Sequence, residues 1–273
     1  MAVSDISLTS GMRSNLLQLQ GTAKLIDRTQ ERLSTGRQVN SALDNATNFF
    51  AAQAANNRAT DFSVRKDGMS EAIQTVKAAD AGVTAIAALV DAAKGLAEAA
   101  VGTSNTNDRS TFAVQFNTLR SQIDTLASDS SYRGTNLLTG STLTVNFNET
   151  ASAKLDVIGF TATSGATGLA ITSAAVNWTA TSDITASQNT LTTATDTLRS
   201  NSKSLANNLN IITTRQNFTD SMMSALKTGA DNLTLADMNQ EGANMLMLQT
   251  RQNLGTTALS LSSQAAQSVL RLF

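Results

Sequence analysis

Proton transfer at neutral pH is done most readily by His, and thiolate nucleophiles and thiolate metal sites require Cys. This 273-residue chain has neither. An enzyme could still use Asp, Glu, Lys or Ser, yet no arrangement of those side chains along the chain marks a nucleophile beside a base or a convergent carboxylate pair. A metallopeptidase helix of the form H-E-x-x-H is excluded by composition alone. The expectation is a protein without catalytic residues, cofactor or bound metal. A formal net charge of −1 supplies no basic footprint for phosphates, so nucleic acid is not an expected partner. The residues that matter must then act by packing, and the question becomes which elements present them.

The chain also lacks Pro, so nothing forces its helices to break. Leu8, Met12, Leu16, Leu19, Ala23, Ile26 and Leu33 follow spacings of three and four, a helical stripe. It stops near Ser34-Thr35-Gly36, where Gly can take the left-handed cap position. A polar, irregular stretch follows to Asn48. From about Phe49 to Val101, Phe62, Met69, Val76, Val83, Val90 and Ala97 recur every seven residues, a coiled-coil pattern. A loop at Gly102–Asn105 precedes a third helix, for which Asn107 or Asp108 is the expected cap. Phe112, Phe116, Leu119, Ile123 and Leu126 share one face of that helix.

The character changes over residues 130–183, where Gly, Ser and Thr dominate. Leu143, Val145 and Phe147 alternate with polar residues, as do Leu155 and Val157, which predicts two short strands or a β-hairpin. Helix returns at Ser182 or Asp183. Ile184, Leu191, Leu198, Leu205, Ile212, Thr219 and Leu226 lie seven apart, and a break is expected at Gly229–Asn232. A last helix from about Thr234 carries Met238, Met245, Leu248, Leu259, Val269 and Phe273 on one seam.

No segment reaches the roughly 18 continuous apolar residues of a membrane span. Met1–Ser10 has neither the basic start nor the apolar stretch of a cleaved secretory signal. Those residues alone predict a cytoplasmic protein without a membrane partner. The two central long helices can pair with each other. The terminal helices read as amphipathic, rich in small residues and too thin to bury much together, and isolated helices are marginal in water. Their apolar faces call for other copies of the same chain. The Ser/Thr-rich middle reads first as a solvated surface.

Three ordered motifs carry a resemblance. Residues 31–46, Glu-Arg-Leu-Ser-Thr-Gly-Arg-Gln-Val-Asn-Ser-Ala-Leu-Asp-Asn-Ala, resemble E-R-L-S-S-G followed by I-N-S-A-x-D-D-A, the N-terminal signature of the bacterial flagellin family. Tyr132-Arg133-Gly134-Thr135-Asn136-Leu137-Leu138-Thr139-Gly140 resembles its F-N-G…L-L-x-G turn. Ala266 to Phe273 resembles its C-terminal P-Q…L-x-L-L-R ending. Asn45 stands where the second Asp is usual and Ala266 where Pro is usual. The middle is short, with no room for large outer domains.

The resemblance implies a mainly α fold, a long antiparallel helical coiled-coil bundle built from both chain ends with a small β-hairpin region in the middle. It implies terminal helices 1–34 and 234–273 lining a filament channel, a polar connector at 35–48, a long-helix rod from 49–129 and 184–229, and an outer β/loop region at 130–183. It implies a secreted, extracellular structural subunit of the flagellum, exported unfolded through the flagellar type III apparatus, which replaces the cytoplasmic expectation. Self-assembly follows, with an export chaperone and filament cap and junction proteins as further partners. Gly36, Arg37, Asn40, Ser41 and Asp44 become inter-subunit connector residues. Leu16, Leu19, Ile26, Leu33, Met245, Leu248, Leu259 and Val269 become filament-core packing residues.

In members strongly sensed by the animal Toll-like receptor for flagellin, the second long helix carries L-Q-R-V-R-E-L-A. Aligned through Leu96-Ala97, the first Arg falls on Ala92 and the Glu on Gly95, and a further receptor-contacting Glu falls near Gln115. All three contact positions are therefore altered. The runner-up role is the hook–filament junction protein, whose motif usually reads D-D-P where this chain has Asp44-Asn45-Ala46.

Overall fold

The structure, a computed structural model, describes residues 10–270. Among the described residues the fold has five helices and one two-stranded antiparallel sheet: α1 (Ser10–Thr35), α2 (Ala42–Gly102), α3 (Thr106–Asp129), β1 (Thr142–Asn146), β2 (Lys154–Ile158), α4 (Thr181–Thr234) and α5 (Met238–Leu270). A single 3-10 turn, Ala175–Trp178, precedes α4. The chain divides into two compact units, Met1–Asn57 with Ala225–Phe273 and Arg58–Ser224. Both α2 and α4 contribute residues to each.

In the second unit α2 and α4 run antiparallel. Lys66 Nζ meets Asp220 at 2.7 Å, Gln216 donates to Ser70 Oγ at 2.7 Å, and Ser202 donates to Asp80 at 3.0 Å. The seven-residue seams meet inside: Met69, Val76, Val83 and Val90 of α2 and Ile184, Leu191, Leu198 and Leu205 of α4 are all buried. α3 closes this core with Phe116 and Ile123, and the Phe116 ring lies 4.8 Å from that of Trp178. Trp178 sits at φ 58 and donates its indole N–H to Ser187 Oγ at 3.2 Å, so the buried ring is satisfied. The strands pair Leu143 with Val157 and Val145 with Leu155, and bury Val145 and Val157 on the same core. α2 is long and apolar enough to cross a membrane by length and composition. Its apolar seam is instead taken up by α3 and α4, as in the core helix of a bundle.

The motif at residues 132–140 is a physical device. Tyr132 and Thr135 exchange backbone hydrogen bonds at 2.9 and 3.0 Å. The two residues between them, Arg133 and Gly134, both have positive φ, the requirement of the tight hairpin turn whose twist matches its flanks. Leu137 and Leu138 then drop into the core.

Four boundaries differ from the sequence reading. α2 begins at Ala42 instead of Phe49 and is kinked at Asn45, whose extended backbone (φ −162, ψ 99) sets a short first turn apart and whose side chain accepts from Asn48 N–H at 3.0 Å, capping the long helix that follows. Asn105, not Asn107 or Asp108, caps α3, accepting from Asn107 N–H at 3.0 Å. The break expected at Gly229–Asn232 is absent, and α4 continues to Thr234. A helical Gly costs only about 1 kcal/mol relative to Ala, and burial of the adjacent Ala230 holds the turn. Thr234 therefore closes α4, and α5 starts at Met238 behind Asp237, whose carboxylate accepts from Asn239 N–H at 2.9 Å.

Candidate assembly surface

In the first unit α1 packs antiparallel on α5. Arg32 bonds Glu241 at 3.0 Å, and Leu19 lies so close to Gly255 that a Cβ there would meet Leu19 Cδ2 at 2.7 Å. Gly255 is what lets the two helices approach. The contact is narrow and partly polar. Met12, Thr22 and Thr29 are buried on α1, with Glu241 and Leu248 on α5. The buried Thr22 hydroxyl is satisfied within its own helix, donating to Gln18 O at 2.9 Å.

The large apolar side chains of this unit point elsewhere. Leu17, Leu246, Leu254 and Leu261 are 68%, 68%, 67% and 62% exposed. Met247, Leu254 and Leu261 recur every seven residues on α5, offset by six from the inward row of Glu241, Leu248 and Gly255. Six residues at 100° each place the second row about 120° around the helix from the first. α5 therefore carries an exposed apolar row beside the seam, and Leu246, Leu254 and Leu261, which flank the seam in the sequence, lie on that exposed side. Of the eight expected packing residues, Leu248 is buried, Leu19, Ile26, Leu33, Met245 and Leu259 are half-buried, and Leu16 is 38% exposed. The side chain of Val269, like Leu8 and Phe273, lies outside the described residues.

The connectors between helices are stitched to each other. Gly36 takes φ +70, which ends α1 through its amide bond to Arg32 O at 2.8 Å. Thr234 O then accepts from Gln38 and Val39 N–H at 2.8 and 3.2 Å, and Gly36 O accepts from Ala236 N–H at 3.0 Å. Arg37 and Leu235 face each other as an antiparallel bridge. Asp44 closes the turn: one carboxylate oxygen accepts from Ser41 N–H at 2.9 Å, Asn40 N–H at 3.1 Å and Ser41 Oγ at 3.2 Å. Those amides, first Ser41 and then Asn40, hold the Asp44 carboxyl below its ordinary pKa, with the Ser41 hydroxyl and the Arg32 charge adding to the effect. The expected connector residues Gly36, Arg37, Asn40, Ser41 and Asp44 thus share one hydrogen-bonded turn. The sequence reading missed its second half, residues 234–237, which no motif marks. The spacing of Asp44 three and four residues after its amide partners was the available signal.

Ala92, Gly95 and Gln115 are all exposed, in the second unit. Ala92 therefore fills no core position. Among the described residues no group of His, Cys, Asp and Glu could hold a metal ion.

Residues 4–142 match the family described as the bacterial flagellin N-terminal helical region. Flagellin FljM of Caulobacter vibrioides is 31% identical over 276 residues, spanning all of both chains. A flagellin of Brucella melitensis is 29% identical over 281 residues, covering 99% of each. A crystal structure of Bacillus cereus flagellin overlaps 56% of this chain and 88% of its own, at 16% identity and a TM-score of 0.47.

Proposed function

The chain belongs to the bacterial flagellin family and is a structural subunit of the flagellar filament, and on that premise we propose how its parts divide the work. The first unit is the polymerising surface, and Leu16, Leu19, Ile26, Leu33, Met245, Leu248, Leu259 and Val269 pack the filament core. One observation carries this reading: α5 bears an apolar row, Met247, Leu254 and Leu261, that α1 leaves exposed. Apolar area left in water is unfavourable by about 25 cal/mol per Å², and identical subunits are the supply of matching helices. The connector turn around Gly36, Arg37, Asn40, Ser41 and Asp44 transmits contacts between subunits.

Export of the unfolded chain through the flagellar type III apparatus belongs to the same reading, since a filament lies outside the cell. So does shielding of α5 by an export chaperone in the cytoplasm. The Met238, Met245, Met247 and Leu248 side chains give the adaptable apolar surface that helix-in-groove partners use. Cap and junction proteins complete the partner set at the filament ends. Replacement of the receptor-contact positions by Ala92, Gly95 and Gln115 makes the chain a poor agonist of the animal flagellin receptor. A reporter-cell response equal to that of a strong agonist at the same dose would refute that part.

Electron microscopy of purified protein added to filament fragments tests the main reading. Elongation of the fragments is the expected result, and protein that stays monomeric overturns it. Abundance in sheared flagella separates the filament role from a hook–filament junction role, in which the chain would be a trace component.

A further inference from the structure

Leu43 is 98% exposed, the most exposed large apolar side chain of the described residues. It is not on a loose loop. The carboxylate of Asp44 and the extended Asn45 backbone fix the turn on either side of it. The backbone that carries Leu43 has thus already met its ordering cost, which favours a bound state. Elsewhere on the same unit is an open pocket of about 180 Å³ whose apolar lining is Val39, Phe49 and Ala52, with Arg37, Gln53, Asn56 and Thr234 around it. Its floor is apolar and fixed: Val39 and Ala52 are buried, and Phe49 stacks edge-on against Phe50 at 5.5 Å. The space suits one branched aliphatic side chain.

We propose that Leu43 of each subunit docks in the Val39–Phe49–Ala52 pocket of the next copy of this chain. A knob and a hole at different places on one subunit form a head-to-tail contact, which does not pair a surface with itself and can extend without closing. The occupant is a second copy because the family to which the chain belongs self-polymerises, and because both halves of the contact lie on the same hydrogen-bonded unit, the one whose helices present the exposed row Leu17, Leu246, Met247, Leu254 and Leu261. The proposal rests on the filament reading and adds to it a specific contact. It also gives the connector a role beyond linking helices, since the Asp44 turn presents the knob and Val39, bonded to Thr234 O, walls the hole.

The chain has no Cys, so introduced thiols are the only ones present. Full-length protein carrying Leu43→Cys, Gln53→Cys or both is grown on filament fragments, oxidised and resolved under denaturing conditions. The double variant is expected to give a ladder of covalent multimers and each single variant monomer alone. Filaments that yield no ladder from the double variant overturn the contact and leave the filament reading standing. Dimers from Leu43→Cys alone also overturn it, because they would place Leu43 against its own counterpart. Failure of the unaltered protein to elongate fragments overturns both. In a second arm, Gln53→Trp narrows the pocket mouth without touching Leu43. It should raise the concentration needed for elongation at least about tenfold, the effect of losing one buried aliphatic anchor, and an unchanged concentration counts against the proposal.

Discussion

The two units share α2 and α4 and treat their large apolar residues differently. In the second unit the heptad seams of α2 and α4 close on α3, and Phe116, Trp178, Ile123 and Leu191 are wholly buried. In the first unit the closed seam holds Thr22, Thr29 and Glu241, while Leu17, Leu246, Leu254 and Leu261 face out. The second unit covers its heptad seams within the chain, and the first leaves those four leucines exposed. Composition does not produce the difference, because both are rich in Ala, Leu and Thr. What differs is the number of helices available in one chain to cover each row.

Removal of everything after Thr234 should test this division most severely. The second unit should keep its melting transition, and growth on filament fragments should cease altogether. A truncated protein that still forms filaments breaks the comparison. The truncation point follows α4 to its actual end at Thr234.

Paired core and surface changes come next. Phe116→Ala should lower the unfolding free energy of the monomer by about 3–5 kcal/mol, the cost of an aromatic cavity. Leu254→Ala should move monomer stability by no more than about 0.5 kcal/mol and still weaken filament growth. Denaturant melts of the two variants, read beside their elongation rates, decide it. Equal destabilisation of the monomer by both would mean that Leu254 is covered within the chain.

The smaller polar seam offers a third comparison. Arg32→Ala leaves Glu241, whose side chain is only 9% exposed, without its cation, at a cost of about 1–3 kcal/mol. Replacing both partners, Arg32→Met with Glu241→Leu, should be near neutral or stabilising, because no charge is then left buried without its partner. Thermal melts of the first unit, followed by a probe on α5, separate the two outcomes.

Much of this was legible in the sequence. The row Phe62, Met69, Val76, Val83, Val90 and Ala97 is buried throughout, since a heptad stripe and its partner stripe lie in one chain. The alternation at Leu143–Phe147 and Leu155–Val157 marks the two strands that form. Periodicity failed where a local bond decided the outcome: Asn45 and Asn105 start helices through single side-chain contacts, and Gly229 passes unbroken because Ala230 is packed. It also could not tell which apolar row of α5 faces α1. The close approach at Gly255 sets that register, and a Gly contributes nothing to a hydrophobic stripe. The pairing of residues 36–39 with 234–236 is a backbone matter and leaves no side-chain signature.

The finest contrast between the units is in acid. Asp44 is the clasp of the first unit's connector, and its pKa is depressed below the ordinary 3.8 by the Ser41 and Asn40 amides. A carboxyl depressed in the folded state binds its proton less readily there than in the unfolded chain. It therefore stabilises the turn fully above pH 3.8, and that contribution is lost as pH falls through the depressed folded value. In the second unit Asp156 is likewise depressed, chiefly by the Thr144 hydroxyl, but the strand it sits on is also held by Val157 in the core. Acidification should thus loosen the connector of the first unit while the hairpin of the second persists. Amide NMR shifts of Asn40 and Ser41 should titrate together with a midpoint below 3.8, and Asp44→Asn should abolish that titration while leaving the Val157 amide unmoved. A midpoint at or above 3.8 would mean that the Asp44 clasp does not hold in solution. Simultaneous loss of the Val157 signal would mean that the two units do not differ in how they are held.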